Sequence, residues 1–196
     1  PVWTVPLYGG TVLNDVVVDT LPVVATTRSG AFTKPEAGQA GAVTPVDLQV
    51  PADAVKVKVA EAVEEISEAV NLEEAKVIVT GGRGMGSKEQ FALVEELAAL
   101  LGGVVGATRP AIEDGWVSRA HQVGQSGKIV APALYIACGV SGATQHVSGM
   151  SGSGYVVAIN KDEDAPIFDV ADVGIVGDVA KVLPLMIEEI RQRKAG

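Results

Sequence analysis

Short apolar runs separated by glycine and polar residues mark the chain from about residue 76 onwards. Five of these runs have the length and the Val, Ile and Ala content of strands that are buried on both faces. These predicted strands cover residues 76–80, 104–107, 133–140, 155–160 and 174–177.

An amphipathic stretch follows the first of these strands. Apolar residues recur every three or four positions between Phe91 and Leu101, which is the spacing of one buried helix face. Ser87, with Gln90 three residues later, is typical of a helix start, and Gly102 is typical of a helix end. The pattern predicts a helix between the first and second strands.

A second amphipathic stretch closes the chain, with an apolar stripe from Val179 to Ile190. Asp178 fits as the N-cap of this helix, and Pro184 is expected to kink it or to separate a short first turn. Strands that alternate with helical stretches predict an α/β fold with an open parallel, Rossmann-like sheet flanked by helices.

The first part of the chain has a different pattern. Residues 11–18, 22–27 and 45–50 are β-branched runs broken by glycine and proline, and residues 46–50 and 55–59 alternate between apolar and polar side chains. This predicts short strands with one buried face. Residues 1–66 are thus expected to form a small incomplete β-rich segment, and residues 67–196 the α/β domain. Residues 61–75 fit a strand or a short helix equally well.

The charge of the chain narrows the range of partners. Its net charge of −9, without any basic run, argues against nucleic acid or an anionic membrane surface as a partner. No apolar run approaches the ~20 residues that a membrane span needs. The single cysteine, Cys138, excludes an internal disulfide and is expected to be a small buried residue.

Polar side chains stand where the predicted strands end. Arg83, Arg109, Asn160 and Asp178 all follow strands, and parallel strands end at one edge of the sheet, where open α/β sheets bind ligands. The glycine loop around Arg83 also fits a purely structural turn, since it lacks the spacing of a dinucleotide fingerprint. Arg109 also fits a surface salt bridge to a nearby carboxylate, and the following proline is expected to keep it out of a helix.

Two further loops, 123–128 and 141–146, combine glycine with small polar side chains, and each can bring backbone N–H groups close to an anion. The sequence offers no nucleophile paired with a base, no carboxylate pair and no metal-ligand spacing. Trp116 is interpreted as a packing residue and His121 as an ordinary loop histidine. The pattern indicates a site that binds a large polar ligand rather than one that hydrolyses it.

Three motifs carry a family resemblance. VGQSGKIVAPALYIACGVSGATQH, with GGRGMGS before it and AINKDEDAPIF after it, closely resembles the FAD-binding domain of the electron transfer flavoprotein alpha subunit. The resemblance runs from about Lys76 to the C-terminus. It is weaker over the first seventy residues, which resemble the last strands of the family's N-terminal domain, so that Pro1 looks like the start of a fragment.

The resemblance implies roles for particular residues. Ser126 takes the position of a hydroxyl near flavin N5, His146 that of a histidine at the pyrimidine end, and Arg109 that of an arginine against the ring. Each would offset the negative charge that a reduced flavin gains. Ser126 and Thr108 replace the family's more usual threonine and serine, which leaves the redox potential open. On chemistry alone, His146 also fits a structural histidine.

The resemblance assigns the remaining contacts by region. The loop around the ring would comprise Gln122, Val123, Gly124 and Gln125. The ribityl chain and diphosphate would meet Ser141, Gly142, Ala143, Thr144 and Gln145. The pyrophosphate and adenosine would meet Arg83, Asn160, Asp178 and Val179.

The implied function is that of an electron carrier rather than an enzyme with its own substrate. A family member binds FAD, pairs with a beta subunit, and passes electrons from flavin dehydrogenases to a quinone oxidoreductase or another acceptor. The expected compartment is the bacterial cytoplasm or the mitochondrial matrix. The alternative is a module that binds an NAD-type nucleotide, or that holds subunits together, without redox chemistry.

Overall fold

The computed structural model describes residues 1–10, 12–28, 31–33, 35–38, 41–57 and 71–195. Its two sheets are an antiparallel hairpin near the N-terminus and a five-stranded parallel sheet in the remainder. The hairpin strands are β1 (Val2–Leu7) and β2 (Val12–Val17). The parallel strands are β3 (Val77–Gly81), β4 (Val104–Ala107), β5 (Leu134–Cys138), β6 (Val156–Asn160) and β7 (Val173–Val176). The α-helices are α1 (Lys88–Leu101), α2 (Arg109–Glu113), α3 (Thr144–Val147) and α4 (Val179–Ala195).

The parallel sheet has the strand order β4-β3-β5-β6-β7. Counted along the chain within this sheet, the order is 2-1-3-4-5, one of the two common orders of doubly wound α/β folds. The predicted α/β class and all five predicted parallel strands are confirmed. In this order the chain reverses its winding direction between β3 and β5, which is where doubly wound sheets have a crevice at their carboxyl edge.

Both faces of the sheet are buried along its central strands β3 and β5, as their apolar sequences predict, whereas the edge strand β7 is mostly exposed. Val79 and Ile136 face a cluster that α1 and α4 cover, with Phe91, Leu97 and Leu183 in it. The opposite face, which carries Ile78 and Tyr135, packs mainly against irregular segments that include Val130, Met150 and Ile167. The sheet thus separates two buried clusters.

Helix α1 begins and ends as its sequence predicts. Ser87 Oγ accepts a hydrogen bond from the amide of Gln90 at 3.3 Å. Gly102 takes the left-handed conformation with φ of 65°, and its amide bonds to carbonyls of the last turn. In α4, Asp178 caps the first turn by accepting from the amide of Ala180 at 3.0 Å. This helix continues through Pro184, so the proline does not separate a first turn.

The N-terminal strand predictions are correct for β2 only. Residues 22–27 and 45–50 form no strands, and β1 was not predicted. Val46, Leu48 and Val50 are 81, 78 and 60 % exposed, so the apolar side of this alternation is uncovered rather than buried. The physical reason is that an extended segment becomes a strand only when a neighbouring strand pairs with it. The predicted strand at 55–59 lies partly, and the boundary near Ile66 entirely, outside the described residues.

No helix among the described residues is both long and apolar enough to cross a membrane.

Candidate functional site

A cleft of about 720 Å³ opens at the carboxyl edge of the parallel sheet. Its base lies between the loop after β3 and the loop after β5, where the winding reverses, which is where doubly wound sheets bind ligands. Its volume is in the upper part of the range for small-molecule and cofactor sites. The cleft therefore has the size and the position of a nucleotide-cofactor site.

Thirteen of the predicted site residues line this cleft. The structure brings together Arg83, Thr108, Arg109, Gln122, Val123, Gly124, Gln125, Ser126, Ser141, Ala143, Gln145, His146 and Asn160. They come from the segments at the ends of four strands and from the separate 122–126 loop, so their convergence is a property of the fold.

Four predicted residues do not line the cleft. Gly142 is buried behind its loop, where a Cβ would lie 2.2 Å from the amide nitrogen of Ile167. Thr144 lies exposed on α3. Asp178 caps α4, and Val179 is buried in the apolar cluster that α1 and α4 cover. β7, the edge strand, carries Asp178 and Val179 to the outer side of the sheet.

The cleft also contains residues that were not predicted. They are Gly82, Gly84, Pro110, Gly139, Val140, Lys161, Asp162, Ala165 and Pro166. Lys161 and Asp162 follow β6, so the same strand-end pattern that singled out Asn160 applies to them. Pro166 lies in the AINKDEDAPIF motif but does not directly follow a strand, and its segment is held at the cleft by a tertiary hydrogen bond from the amide of Ile167 to the carbonyl of Ser141.

Close contact between the loops after β3 and β5 forms the base of the cleft. The amide of Gly84 donates to the carbonyl of Gly139 at 2.9 Å. Gly139 has φ of 62°, and a Cβ there would lie 2.6 Å from the carbonyl carbon of Gly84. Glycine is thus required at this position for both conformation and space.

The 122–126 loop presents a hydroxyl whose orientation is set within the protein. The buried Gln122 donates from Nε2 to Ser126 Oγ at 2.9 Å. Because that oxygen already accepts a hydrogen bond, the hydroxyl hydrogen of Ser126 is available to a ligand. The amide of Gln125 donates to the carbonyl of Gln145 at 2.7 Å, which ties this loop to the one that follows β5.

Donors without a protein partner remain at the cleft. Thr108 is 7 % exposed and lines the cleft, and its Oγ1 has no hydrogen-bond partner among the described residues. Within the same part of the chain, the amides of Ser141 and Ala143 donate no hydrogen bond to a described residue. A buried polar atom left without a partner is costly, so a ligand that accepts hydrogen bonds would relieve this cost.

The two arginines of the cleft differ in their surroundings. Arg109 Nε lies 2.7 Å from Glu113 Oε1, which is the surface salt bridge that the sequence left open. Arg83 is exposed and makes no ion pair with a described residue. The prediction that Pro110 excludes Arg109 from a helix is wrong. Arg109 begins α2, because a proline is tolerated in the first turn.

His146 is buried at the wall of the cleft, with only 7 % of its surface exposed. Its Nδ1 lies 3.0 Å from the carbonyl oxygen of Val123, and its Nε2 lies 2.9 Å from the hydroxyl of Tyr135. Burial lowers the pKa of His146 to about 4 against the partial opposition of the Val123 carbonyl. The ring is therefore neutral near pH 7.

The other candidate residues have structural surroundings. Trp116 packs against Phe91, with ring centroids 6.2 Å apart. His121 Nδ1 bonds to the carbonyl of Val105 at 2.8 Å and does not line the cleft. Cys138 is fully buried, and burial raises the pKa of its thiol to about 12. These three residues support the fold.

The fold and site define a class: a doubly wound α/β domain with a donor-rich cofactor cleft at its switch point. Residues 71–151 match the family model of the electron transfer flavoprotein FAD-binding domain. This confirms the family resemblance found in the sequence motifs, and the description of the matched domain agrees with the expected cofactor.

Curated relatives agree with this match. The chain is 47 % identical over 194 residues to an electron transfer flavoprotein subunit alpha of Thermoanaerobacterium thermosaccharolyticum, covering 97 % of this chain and 59 % of the relative. It is 48 % identical to the subunit of the same name from Megasphaera elsdenii, covering 98 % and 59 % of the two chains. A mitochondrial alpha subunit of Dictyostelium discoideum is 46 % identical, with 96 % and 55 % covered. The chain thus spans somewhat more than half the length of these relatives.

Proposed function

We propose that this chain is the FAD-binding part of an electron transfer flavoprotein alpha subunit and that the cleft at the β3–β5 switch point holds FAD. The observation that carries the proposal is the convergence of thirteen predicted contact residues on one cleft of about 720 Å³. The family match supports the cofactor, and the coverage of the relatives supports the subunit.

The residues present fit FAD chemically. FAD joins an uncharged ring that accepts hydrogen bonds to a diphosphate, so its site needs both neutral donors and a cationic region. The hydroxyls of Thr108 and Ser126 supply donors within a partly buried wall. Arg83 and the amides of Ser141 and Ala143 supply positive electrostatic potential elsewhere in the same cleft.

FAD would supply the redox chemistry, because it accepts and releases electrons, whereas the protein binds it and adjusts its potential. Ser126 would donate its hydroxyl hydrogen to the ring, held in that orientation by Gln122. Arg109 would add positive charge at the cleft, and its ion pair with Glu113 would reduce the effect of that charge. The neutral His146, whose two ring nitrogens bond to Val123 and Tyr135, would contribute shape rather than charge.

The function of the whole protein would be electron transport rather than catalysis on a substrate of its own. Electrons would come from flavin dehydrogenases and go to an acceptor oxidoreductase, in the cytoplasm of a bacterium or in the mitochondrial matrix of a eukaryote. Support comes from the names of the relatives, one of which is mitochondrial.

The N-terminal residues support a partner. Val43, Val46 and Leu48 are each at least 78 % exposed in the isolated chain, and apolar side chains so close in sequence favour burial by another protein segment. We propose the remainder of the alpha subunit and the beta subunit as the chains that cover this surface.

Calorimetric titration of the chain with FAD and, separately, with NAD tests the proposal. The proposal predicts that one FAD binds per chain and that NAD does not bind measurably. Unfolding should release the flavin, which is detected by its absorbance. Binding of NAD without binding of FAD would instead support the nucleotide-binding alternative.

A further inference from the structure

A buried tyrosine lies directly behind the cleft histidine. Tyr135 stands on β5, has no exposed surface and is the largest of the fully buried side chains. Its hydroxyl lies 2.9 Å from Nε2 of His146, and the two rings are tilted by 56°. Tyr135 itself does not line the cleft. Any effect of Tyr135 on a ligand is therefore indirect, and His146 is its hydrogen-bonded neighbour at the cleft.

The chemistry of the partners fixes the positions of the protons. The Val123 carbonyl can only accept a hydrogen bond, so Nδ1 of His146 must carry a hydrogen. Because the ring is neutral, Nε2 then has a lone pair, and the Tyr135 hydroxyl must donate to it. Burial also raises the pKa of Tyr135 well above its usual range, which keeps the hydroxyl protonated and able to donate.

This hydrogen-bonded chain connects the core to the cleft loop. It runs from Tyr135 through the imidazole to the carbonyl of Val123, and Val123 begins the loop that carries Gln125 and Ser126. If either hydrogen bond is lost, a ring nitrogen remains buried without a partner, which costs free energy. The two bonds together hold the ring and the start of the loop in one arrangement.

We propose that Tyr135 is a positioning residue of the cofactor cleft, which holds His146 as the Nδ1-protonated neutral tautomer and thereby fixes the 123–126 loop. The inference rests on the proposed function and deepens it. In this arrangement His146 offers the cleft no N–H group. The donor role that the family resemblance implies for His146 would thus require Nε2 to leave Tyr135.

Nitrogen NMR of the cofactor-free chain tests the hydrogen bond. The chain has only two histidines, so a His121→Gln variant assigns the remaining signals to His146. We expect a protonated Nδ1 and an Nε2 that accepts a hydrogen bond. In Tyr135→Phe the Nε2 resonance should move towards that of an unbonded nitrogen, whereas the control Tyr155→Phe, which removes a half-exposed hydroxyl, should leave it unchanged. A protonated Nε2 in the unaltered chain, or no change in Tyr135→Phe, would overturn the proposal.

A double-mutant cycle tests whether the tyrosine acts on the cofactor through His146. The dissociation constant of FAD is measured for the unaltered chain, Tyr135→Phe, His146→Asn and the double variant. Loss of one hydrogen bond predicts roughly 3- to 10-fold weaker binding in Tyr135→Phe, and almost no further loss when His146 is already replaced.

The outcomes of the cycle are distinct. Equal weakening in both backgrounds would mean that Tyr135 acts only through packing, and no weakening in either would mean that it does not act on the site. Both results contradict the inference. Failure of the unaltered chain to bind FAD would overturn the proposed function and the cofactor side of this inference together, while the NMR measurement would still decide whether Tyr135 orients His146.

Discussion

Gln122 and Ser126 form a hydrogen-bonded pair of 2.9 Å within one turn of the cleft loop, in which the amide donates and the hydroxyl accepts. Gln122 is 5 % exposed, and its position is held by the backbone bond from its amide to the carbonyl of Arg119. Because Ser126 Oγ accepts in this pair and lines the cleft, its hydroxyl hydrogen is available to a ligand there.

Removal of that hydroxyl should weaken FAD binding. Ser126→Ala deletes one hydrogen bond to the ligand and leaves the Gln122 amide without its partner, so we expect roughly 3- to 10-fold weaker binding. Ser126→Thr keeps the hydroxyl and should bind FAD within about twofold of the unaltered chain. Fluorescence titration measures both constants. Equal affinities of the alanine and threonine variants would show that the hydroxyl makes no contact with the ligand.

Arg109 should adjust the potential of bound FAD by a modest amount. Its side chain is 69 % exposed and shares its charge with Glu113, so screening limits its effect. We expect Arg109→Ala to lower the two-electron midpoint potential by about 10–30 mV and Glu113→Gln to raise it by a similar amount. Spectroelectrochemical titration measures the shifts. Opposite signs for the two variants are the decisive feature, and shifts of the same sign would exclude an electrostatic role.

His146 should make the stability of the chain depend on pH. Its pKa is depressed by burial to about 4, below the 6.5 of an exposed histidine, so the unfolded chain binds a proton at a higher pH than the folded chain. The stability from the neutral ring is thus fully present above pH 6.5 and is lost as the pH falls to about 4. The total loss is about 3 kcal/mol.

Chemical unfolding between pH 4 and 7 measures this dependence. His146→Gln should flatten the slope between these values, whereas His121→Gln, which replaces a histidine outside the cleft, should retain it. If the His146 variant and the unaltered chain showed parallel pH profiles, His146 would not be the titrating group.

The central strands of the parallel sheet could be predicted because they are buried on both faces, so that their sequences are largely apolar. Helix α1 could be predicted because Ser87 and Gly102 act on neighbouring backbone groups. The fate of residues 45–50 could not be predicted, since the alternation at Val46 and Leu48 shows which side chains are apolar but not whether a partner strand is present. The order of strands in the sheet also cannot be predicted from local sequence. In the observed order β7 is an edge strand, so Asp178, which follows it, does not line the cleft.

The site residues that directly follow strands could be predicted from the sequence. Those that tertiary contacts bring to the cleft could not. Asn160 could be found from the end of β6, and its side chain donates to the carbonyl of Val140 at 2.9 Å. Pro166 enters the cleft only through the loop contact with Ser141. His146 is neutral because it is buried. Its contact with Tyr135, eleven positions earlier in the chain, could not be predicted from any sequence pattern.

The contact of glycines at the base of the cleft should be sensitive to a single methyl group. Gly139→Ala meets a clash at 2.6 Å with Gly84 backbone as well as a positive φ, and should cost at least about 3 kcal/mol of unfolding free energy. Gly102→Ala is the matched control, with φ of 65° and nothing within 4 Å, and should cost about 1–2 kcal/mol. Urea unfolding compares them. Equal losses would mean that the loops can separate without cost.

The central claim is that FAD occupies the cleft between the loops after β3 and β5, and a blocking substitution tests it most directly. Ala143 is exposed and lines the cleft, whereas Ala133 is exposed at the opposite, amino-terminal end of β5. The measurement is the FAD dissociation constant of Ala143→Trp and of Ala133→Trp. The account predicts at least roughly tenfold weaker binding in the first and an unchanged constant in the second. Equal affinities in the two variants and the unaltered chain would place the flavin elsewhere and contradict it.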